Sequence, residues 1–354
     1  MIGERIERAR QAAGLSLRAL AEQVDLSAMA ISKYERNEVT PGSDVMLRLA
    51  EAMGVRVEYF FRQDTVELQN VEFRKHAALS KAEERQILAD VQDRLERWHD
   101  LDDIFPPSAE MKFKLPKGLP QQIGDLGDIE AIAIKLRDHW ELGHNPIPDL
   151  IDTLEENGIR VIVTPYIGKE RFDGLSAKVN DMPVIAIGSE WPGDRQRFTL
   201  AHELGHLILH GRLSEELNEE KACDRFAGAF LVPGEVVIEA LGSKRKWLEP
   251  RELLLLKLEY GLSIGGWTYR ARDMGVLDKT THGKFYGFLR KQGWDKQEPG
   301  PAYKHEASRL FEKRIYHALA EDWVGESKAA ELLGIPLAEL HACRNMECSS
   351  DIAH

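Results

Sequence analysis

The sequence predicts a mostly helical α+β protein. It should have an all-helical N-terminal domain, a central domain with a small sheet, and a helical C-terminal region. Three observations carry this. Residues 1–62 break into short amphipathic stretches punctuated by capping residues and glycines. Runs rich in β-branched residues are confined to a short stretch between Ile159 and Gly188. The segment Arg197 to His210 is apolar apart from an H-E-x-x-H pattern and is too long for a strand.

Taken in order, the chain opens with five short helices. Ile2 to Ala13 is ended by Gly14, Ser16 caps Leu17 to Gln23, and Ser27 caps Ala28 to Asn37. Pro41 opens the next stretch, with Val45, Leu47, Leu49, Ala50 and Met53 on an apolar face, and Gly54 closes it. Helix, short turn, helix is the arrangement that sets a second helix into a DNA major groove, although periodicity alone fits any small bundle. The words G-L-S-L-R-A-L-A, S-x-x-x-I-S-K-Y-E-R-N and L-A-E-A-M-G-V go further. Along this whole segment they resemble the XRE family of helix-turn-helix regulators. The resemblance implies that Ser27, Ala28, Met29, Ser32 and Lys33 face bases or backbone. It also implies that Arg18 reaches phosphate or a base, with Asn37 and Thr40 adding phosphate contacts. Up to Arg62 there are nine Lys/Arg and nine Asp/Glu. One such neutral domain would bind DNA weakly, because phosphate neutralisation supplies most non-specific affinity. A homodimer on an inverted repeat of double-stranded DNA is therefore expected.

Residues 63–120 read as a connector. Leu79 to Asp100 is a long charged helix with Ile87, Val91, Leu95 and Trp98 in one stripe, either a solvated spacer, or a dimerisation helix or a rod that fixes the distance between domains. Pro106-Pro107 and Lys114 to Gly124 read as loop.

The central domain is expected over residues 121–277. Ile129 to Trp140 and Ile147 to Asn157 read as helices, and Ile159 to Val163 and Pro183 to Gly188 as strands. Gly174 to Val179 reads as their antiparallel partner. Such a sheet beside the H-E-x-x-H helix offers an extended peptide an edge to pair with. On a helix, His202 and His206 lie about 40° apart around the axis, so both imidazoles can hold one Zn²⁺. Glu203 sits one residue on, where it can serve as general base towards an attacking water. A bare H-E-x-x-H also occurs in helices that bind nothing, so a third ligand matters. Downstream, Glu220 and Asp224 share one face of a helix whose other face carries Phe226, Ala227, Phe230 and Leu231. Glu220 would complete a His₂Glu site, and Asp224 would accept the N–H of a ligating histidine. Glu219 is the rival ligand.

The run R-F-T-L-A-H-E-L-G-H-L-I-L-H, followed by E-x-x-x-D-x-F-A-x-x-x-L-V-P, resembles the ImmA/IrrE family of metallo-endopeptidases. Flanking segments from Glu130 and up to Leu277 extend the likeness to about 150 residues. It implies a zincin-like, gluzincin-type fold, zinc on His202, His206 and Glu220, and Glu203 as the catalytic residue. It also implies a protein substrate, typically a helix-turn-helix repressor. One departure is Cys223, where a small residue such as alanine is expected; it reads as packing, or as a redox switch beside the metal. Candidates for stabilising the oxyanion are Tyr260, Tyr269, Arg270 and His210.

Residues 278–354 read as helical; helix-turn-helix-like cadences at Glu249 to Gly275, within the central domain, and at Val324 to Ile335 suit packing or partner binding. The 354 residues are 43% hydrophobic and 30% charged, with a net charge of −12, which argues against DNA affinity over the whole surface. No apolar stretch opens the chain or reaches membrane-spanning length, so no membrane association is expected. Cys223, Cys343 and Cys348 form no disulfide framework, which fits a reducing cytoplasm. The reading is a DNA-binding regulator with a zinc endopeptidase domain, acting in a stress or phage-related response. The competing reading is a transcription factor whose zinc domain only senses a ligand or partner.

Overall fold

The computed structural model describes residues 2–62, 66–73, 79–106, 111–165 and 172–347. Pro107 and Cys348 lie outside them. Four helices open the chain, α1 (Ile2–Ala12), α2 (Leu17–Gln23), α3 (Ala28–Glu35) and α4 (Ser43–Met53), and a 3₁₀ turn follows at Val57–Phe61. Ser16 and Ser27 accept hydrogen bonds from Ala19 N and Ala30 N, each at 3.1 Å, which fixes the starts of α2 and α3. Ile6, Leu20, Ile31, Leu49 and Phe60 close a small core of their own.

The connector contains more than a helix and a loop. Residues Gln69–Phe73 form β1, and α5 runs over Lys81–Ile104 behind a capping box at Ser80 and Glu83. Then come α6 (Asp128–His139), α7 (Leu150–Glu156), β2 (Arg160–Thr164), β3 (Gly174–Val179) and β4 (Met182–Gly188). Helix α7 starts later than its pattern suggests. Ile147 precedes Pro148 and is steered away from helix, so Asp149 becomes the cap, accepting from Asp152 N at 3.1 Å.

The sheet order is β1-β3-β4-β2. β3 and β4 form a hairpin whose turn residues Asn180 and Asp181 both have positive φ (48° and 66°). That left-handed pair suits the twist of a two-residue hairpin. β2 pairs with β4, in parallel, so β3 is not the partner of both strands as the sequence suggested. The other side of β3 is taken by β1.

Both faces of the sheet are covered. Val161, Val163, Ile185 and Ile187 face one core, while Ile162, Leu175, Ala177, Val184 and Ala186 face the other. The first core contains α8 (Gly193–Leu209), α9 (Glu219–Leu231), α10 (Gly234–Leu241), α11 (Pro250–Tyr260), α12 (Ile264–Asp273) and α13 (Lys279–Lys291). The second contains Ile87, Val91, Leu95 and Trp98 of α5, with α14 (Leu310–Ala320), α15 (Glu326–Leu333) and α16 (Leu337–Arg344). The long charged helix is thus neither spacer nor rod. Its apolar stripe closes the back of the sheet.

The N-terminal helices dock on α5. Buried Glu96 receives Arg5 and Arg8 of α1 together, and Arg62 reaches Glu331 at 2.9 Å and Asp93 at 3.4 Å.

Candidate metal centre and nucleic-acid face

Helix α8 is held in register from its N-terminal half. Arg197 is fully buried, donates to Glu306 Oε1 at 2.6 Å and to Ile147 O at 2.8 Å, and Glu306 in turn accepts from the first N–H groups of α7. Gly193 packs so closely on Lys304 O that any side chain would collide with it. These contacts join segments 50 to 156 residues apart, and neither Glu306 nor the structural role of Arg197 has a local signature in the sequence.

One and two turns further on, the chemistry begins. His202 is 1% exposed and Glu203 is likewise buried, whereas His206 is half-buried. Helix α9 approaches α8 at Gly205: a Cβ there would sit 3.2 Å from Cys223 Cα and 3.2 Å from Phe226 Cδ1. The glycine within H-E-L-G-H therefore lets the helices close. The first turn of α9, capped by Asn218, then lies beside the two histidines. Carboxylates in a first helical turn also meet the positive end of the helix dipole.

The two adjacent glutamates are sorted by which imidazole nitrogen they meet. Glu220 faces both Nε2 atoms, at 3.4 Å from His202 and 3.8 Å from His206. Asp224 accepts at His202 Nδ1 (2.8 Å), and Glu219 stands at His206 Nδ1 (3.1 Å). Ligand atoms of His202, His206 and Glu220 all lie within 4.8 Å of one another. Two ligands about 2.0–2.1 Å from one tetrahedral ion stand roughly 3.4 Å apart, so the spacing suits a small divalent cation. His202 Nε2 and Glu220 Oε2 are buried without a hydrogen bond among the described residues, as metal-facing atoms should be. Nitrogen, nitrogen and carboxylate form a borderline donor set suited to zinc. Glu219, the rival ligand, sits where an orienting carboxylate belongs.

β3 starts beside Glu203. A Cβ on Gly174 would lie 2.8 Å from Thr199 Cγ2 and 3.7 Å from Glu203 Oε1, so glycine keeps this approach clear.

Cys223 is fully buried against Gly205, and burial pushes its thiol well above the usual range, which suits a packing role. Arg270 is not available as an oxyanion stabiliser. It is 1% exposed, forks onto Glu130 at 2.6 and 2.9 Å, and donates to Val232 O. Tyr269 packs between His282 and Tyr286, and Tyr260 stands edge-on to Trp267. His210 is exposed at the end of α8, one turn beyond His206.

In the N-terminal helices, Arg18 on α2, the α3 cap Ser27, and Met29 and Lys33 on α3 are exposed, Met29 to 64%, and Ala28 and Ser32 are half-buried. Neither Arg18 nor Lys33 is engaged in an ion pair among the described residues. Asn37 adopts φ 57° and its Oδ1 accepts from Gly3 N at 2.8 Å, so part of its side chain is committed to α1.

A two-helix reading unit joined to a His–His–Glu cluster, with a glutamate following the first histidine, defines a class: a helix-turn-helix domain carried with a metallopeptidase-like domain. Comparison with known proteins makes this particular. Residues 6–60 match the helix-turn-helix family, and residues 154–271 match the IrrE N-terminal-like domain of the M78 peptidase family. Over 69 residues the chain is 32% identical to the HTH-type transcriptional regulator ImmR of Bacillus subtilis (strain 168). That match covers 20% of this chain and 54% of the relative, so it spans about half of the relative's length. No helix among the described residues is long and apolar enough to cross a membrane.

Proposed function

We propose that this chain is a DNA-binding transcriptional regulator with a zinc-dependent endopeptidase domain. It would cleave a helix-turn-helix repressor, or itself, in a stress or phage-related response. The observation that carries the reading is buried Glu203 beside a cluster in which His202, His206 and Glu220 turn their metal-binding atoms to one point. A site that only stores or senses a metal needs the three ligands and has no use for the adjacent base.

His202, His206 and Glu220 would hold the zinc, with Asp224 and Glu219 fixing the two imidazoles through their Nδ1 atoms. When bound, zinc supplies Lewis acidity that polarises an oxygen donor and eases loss of its proton. Glu203 accepts the proton of the attacking water and returns it to the leaving amine. With Arg270 committed to Glu130, Tyr260, Tyr269 and His210 remain the candidates for stabilising the developing oxyanion. On the DNA side, α3 enters the major groove through Ser27, Ala28, Met29, Ser32 and Lys33, while Arg18 and Asn37 meet the backbone. A homodimer would read an inverted repeat with half-sites about one helical turn apart. Residues 1–62 would form the DNA-binding unit, 63–120 the connector, 121–277 the peptidase domain and 278–354 a helical C-terminal region.

The reading is tested by co-expressing the chain with helix-turn-helix repressors and mapping fragments of either protein by mass spectrometry, with zinc and after chelation. Zinc-dependent fragments support it. Intact partners in the presence of a full complement of zinc favour a sensing role.

A further inference from the structure

β1 holds a place on the sheet that would otherwise be open. In the order β1-β3-β4-β2, β3 would be an edge strand without it. β3 is also the strand that begins beside Glu203, at Gly174. Extended peptides are commonly bound by adding a strand to such an edge, through backbone hydrogen bonds. β1 already does this: it runs antiparallel to β3, with Gln69 opposite Lys178 and Phe73 opposite Leu175, heading towards the Gly174 end. A strand advances about 3.3 Å per residue, so one in this position meets Gly174 a single step beyond the partner of Leu175.

β1 is also weakly built. It has five residues and its register shifts between Gln69 and Glu72. Within that shift Asn70 takes a left-handed φ of 52°. Gln69 and Asn70 are exposed, and the flanking Leu68 and Val71 are only partly buried against the second core. Its anchor lies upstream, where Val66 is buried in the second core and Gln92 donates to its carbonyl.

We infer that the β3 edge is the docking edge for an extended peptide segment bound antiparallel, and that β1 is its resident occupant. Substrate then pairs along β3 only after β1 has left. The inference rests on the peptidase reading of the site and adds to it an internal competitor supplied by the segment that follows the DNA-binding unit.

The test uses the zinc-loaded full chain carrying Gln69→Cys and Lys178→Cys, directly opposed positions within disulfide reach. The probe is a fluorescein-labelled peptide with the sequence of residues 66–73, followed by anisotropy. The oxidised form should bind at least tenfold more weakly than the same protein after reduction, a comparison that involves no change of sequence. A second variant, with residues 69–73 replaced by glycine and serine, should bind at least tenfold more tightly than wild type. Equal binding by the oxidised and reduced forms, or no binding by any form, overturns the inference. Binding does not require turnover, so this pattern without any cleavage keeps the docking edge and removes the peptidase reading. Cleavage that proceeds equally in the oxidised and reduced forms does the reverse.

Discussion

Replacing Asp224 with alanine removes the carboxylate 2.8 Å from His202 Nδ1 and leaves every proposed ligand in place. Such outer partners set the tautomer and aim of a ligating ring, and their loss lowers metal affinity by about 10–100-fold. Asp224 is 52% exposed, so water can take over part of its role, and the lower half of that range is expected. Tenfold corresponds to about 1.4 kcal/mol. Glu219→Ala acts on His206 across 3.1 Å from a carboxylate that is 53% exposed, on a ring that is itself less buried, so its effect should be smaller. Because the two carboxylates serve different histidines, the double variant should lose about the product of the single effects. Glu220→Ala should exceed both, and Glu203→Gln should change affinity little. Competition against a chromophoric chelator measures all five variants and the wild type on one scale. If Glu219→Ala empties the site while Glu220→Ala does not, the sorting of carboxylates by imidazole nitrogen is wrong.

Three further outcomes follow from buried or exposed charge. Burial holds Glu155 up at about 8, with Arg160 and the Ser308 hydroxyl offsetting only part of the effect. The folded state then keeps a proton that the unfolded state loses near its ordinary value of 4.5, so stability falls as pH rises from there towards 8. Glu155→Gln should abolish that slope, worth on the order of a few kcal/mol, in urea midpoints taken at pH 5 and 8; equal slopes would refute it. Glu306→Ala strands Arg197 uncompensated and should cost about 3–5 kcal/mol by the same assay, with zinc affinity falling as α8 loosens. Lys33→Ala should weaken operator binding and flatten its salt dependence by about one unit of slope, while leaving zinc content unchanged.

The H-E-x-x-H helix was legible because its information is local. Histidines four apart and a glutamate beside the first need only one helix to converge. Glu220 was read as the third ligand with Glu219 as its rival, and what separates these neighbours in one turn is how α9 crosses α8 at Gly205. The small sheet was readable at β2, β3 and β4, whose apolar runs are buried on both faces. Its strand order was not, because a hairpin pattern does not say which side of it the third strand joins. β1 escaped notice because Gln69-Asn70-Val71-Glu72-Phe73 has no sustained alternation and breaks register at Asn70. In α5 the apolar stripe was correctly placed, but a stripe does not name its partner, and the partner proved to be the sheet. Arg270 misled because an arginine near a catalytic motif looks functional until its bidentate contact with Glu130, 140 residues away, is seen.

The account turns on Glu203 being a base in a working site. The direct measurement compares wild type with Glu203→Gln at matched zinc content, following cleavage of a co-expressed helix-turn-helix repressor over time. The account predicts that the variant retains about one zinc per chain and full operator binding but yields no fragments, while wild type cleaves. Cleavage at the same rate by both proteins, or none by zinc-loaded wild type against any repressor or itself, would contradict it.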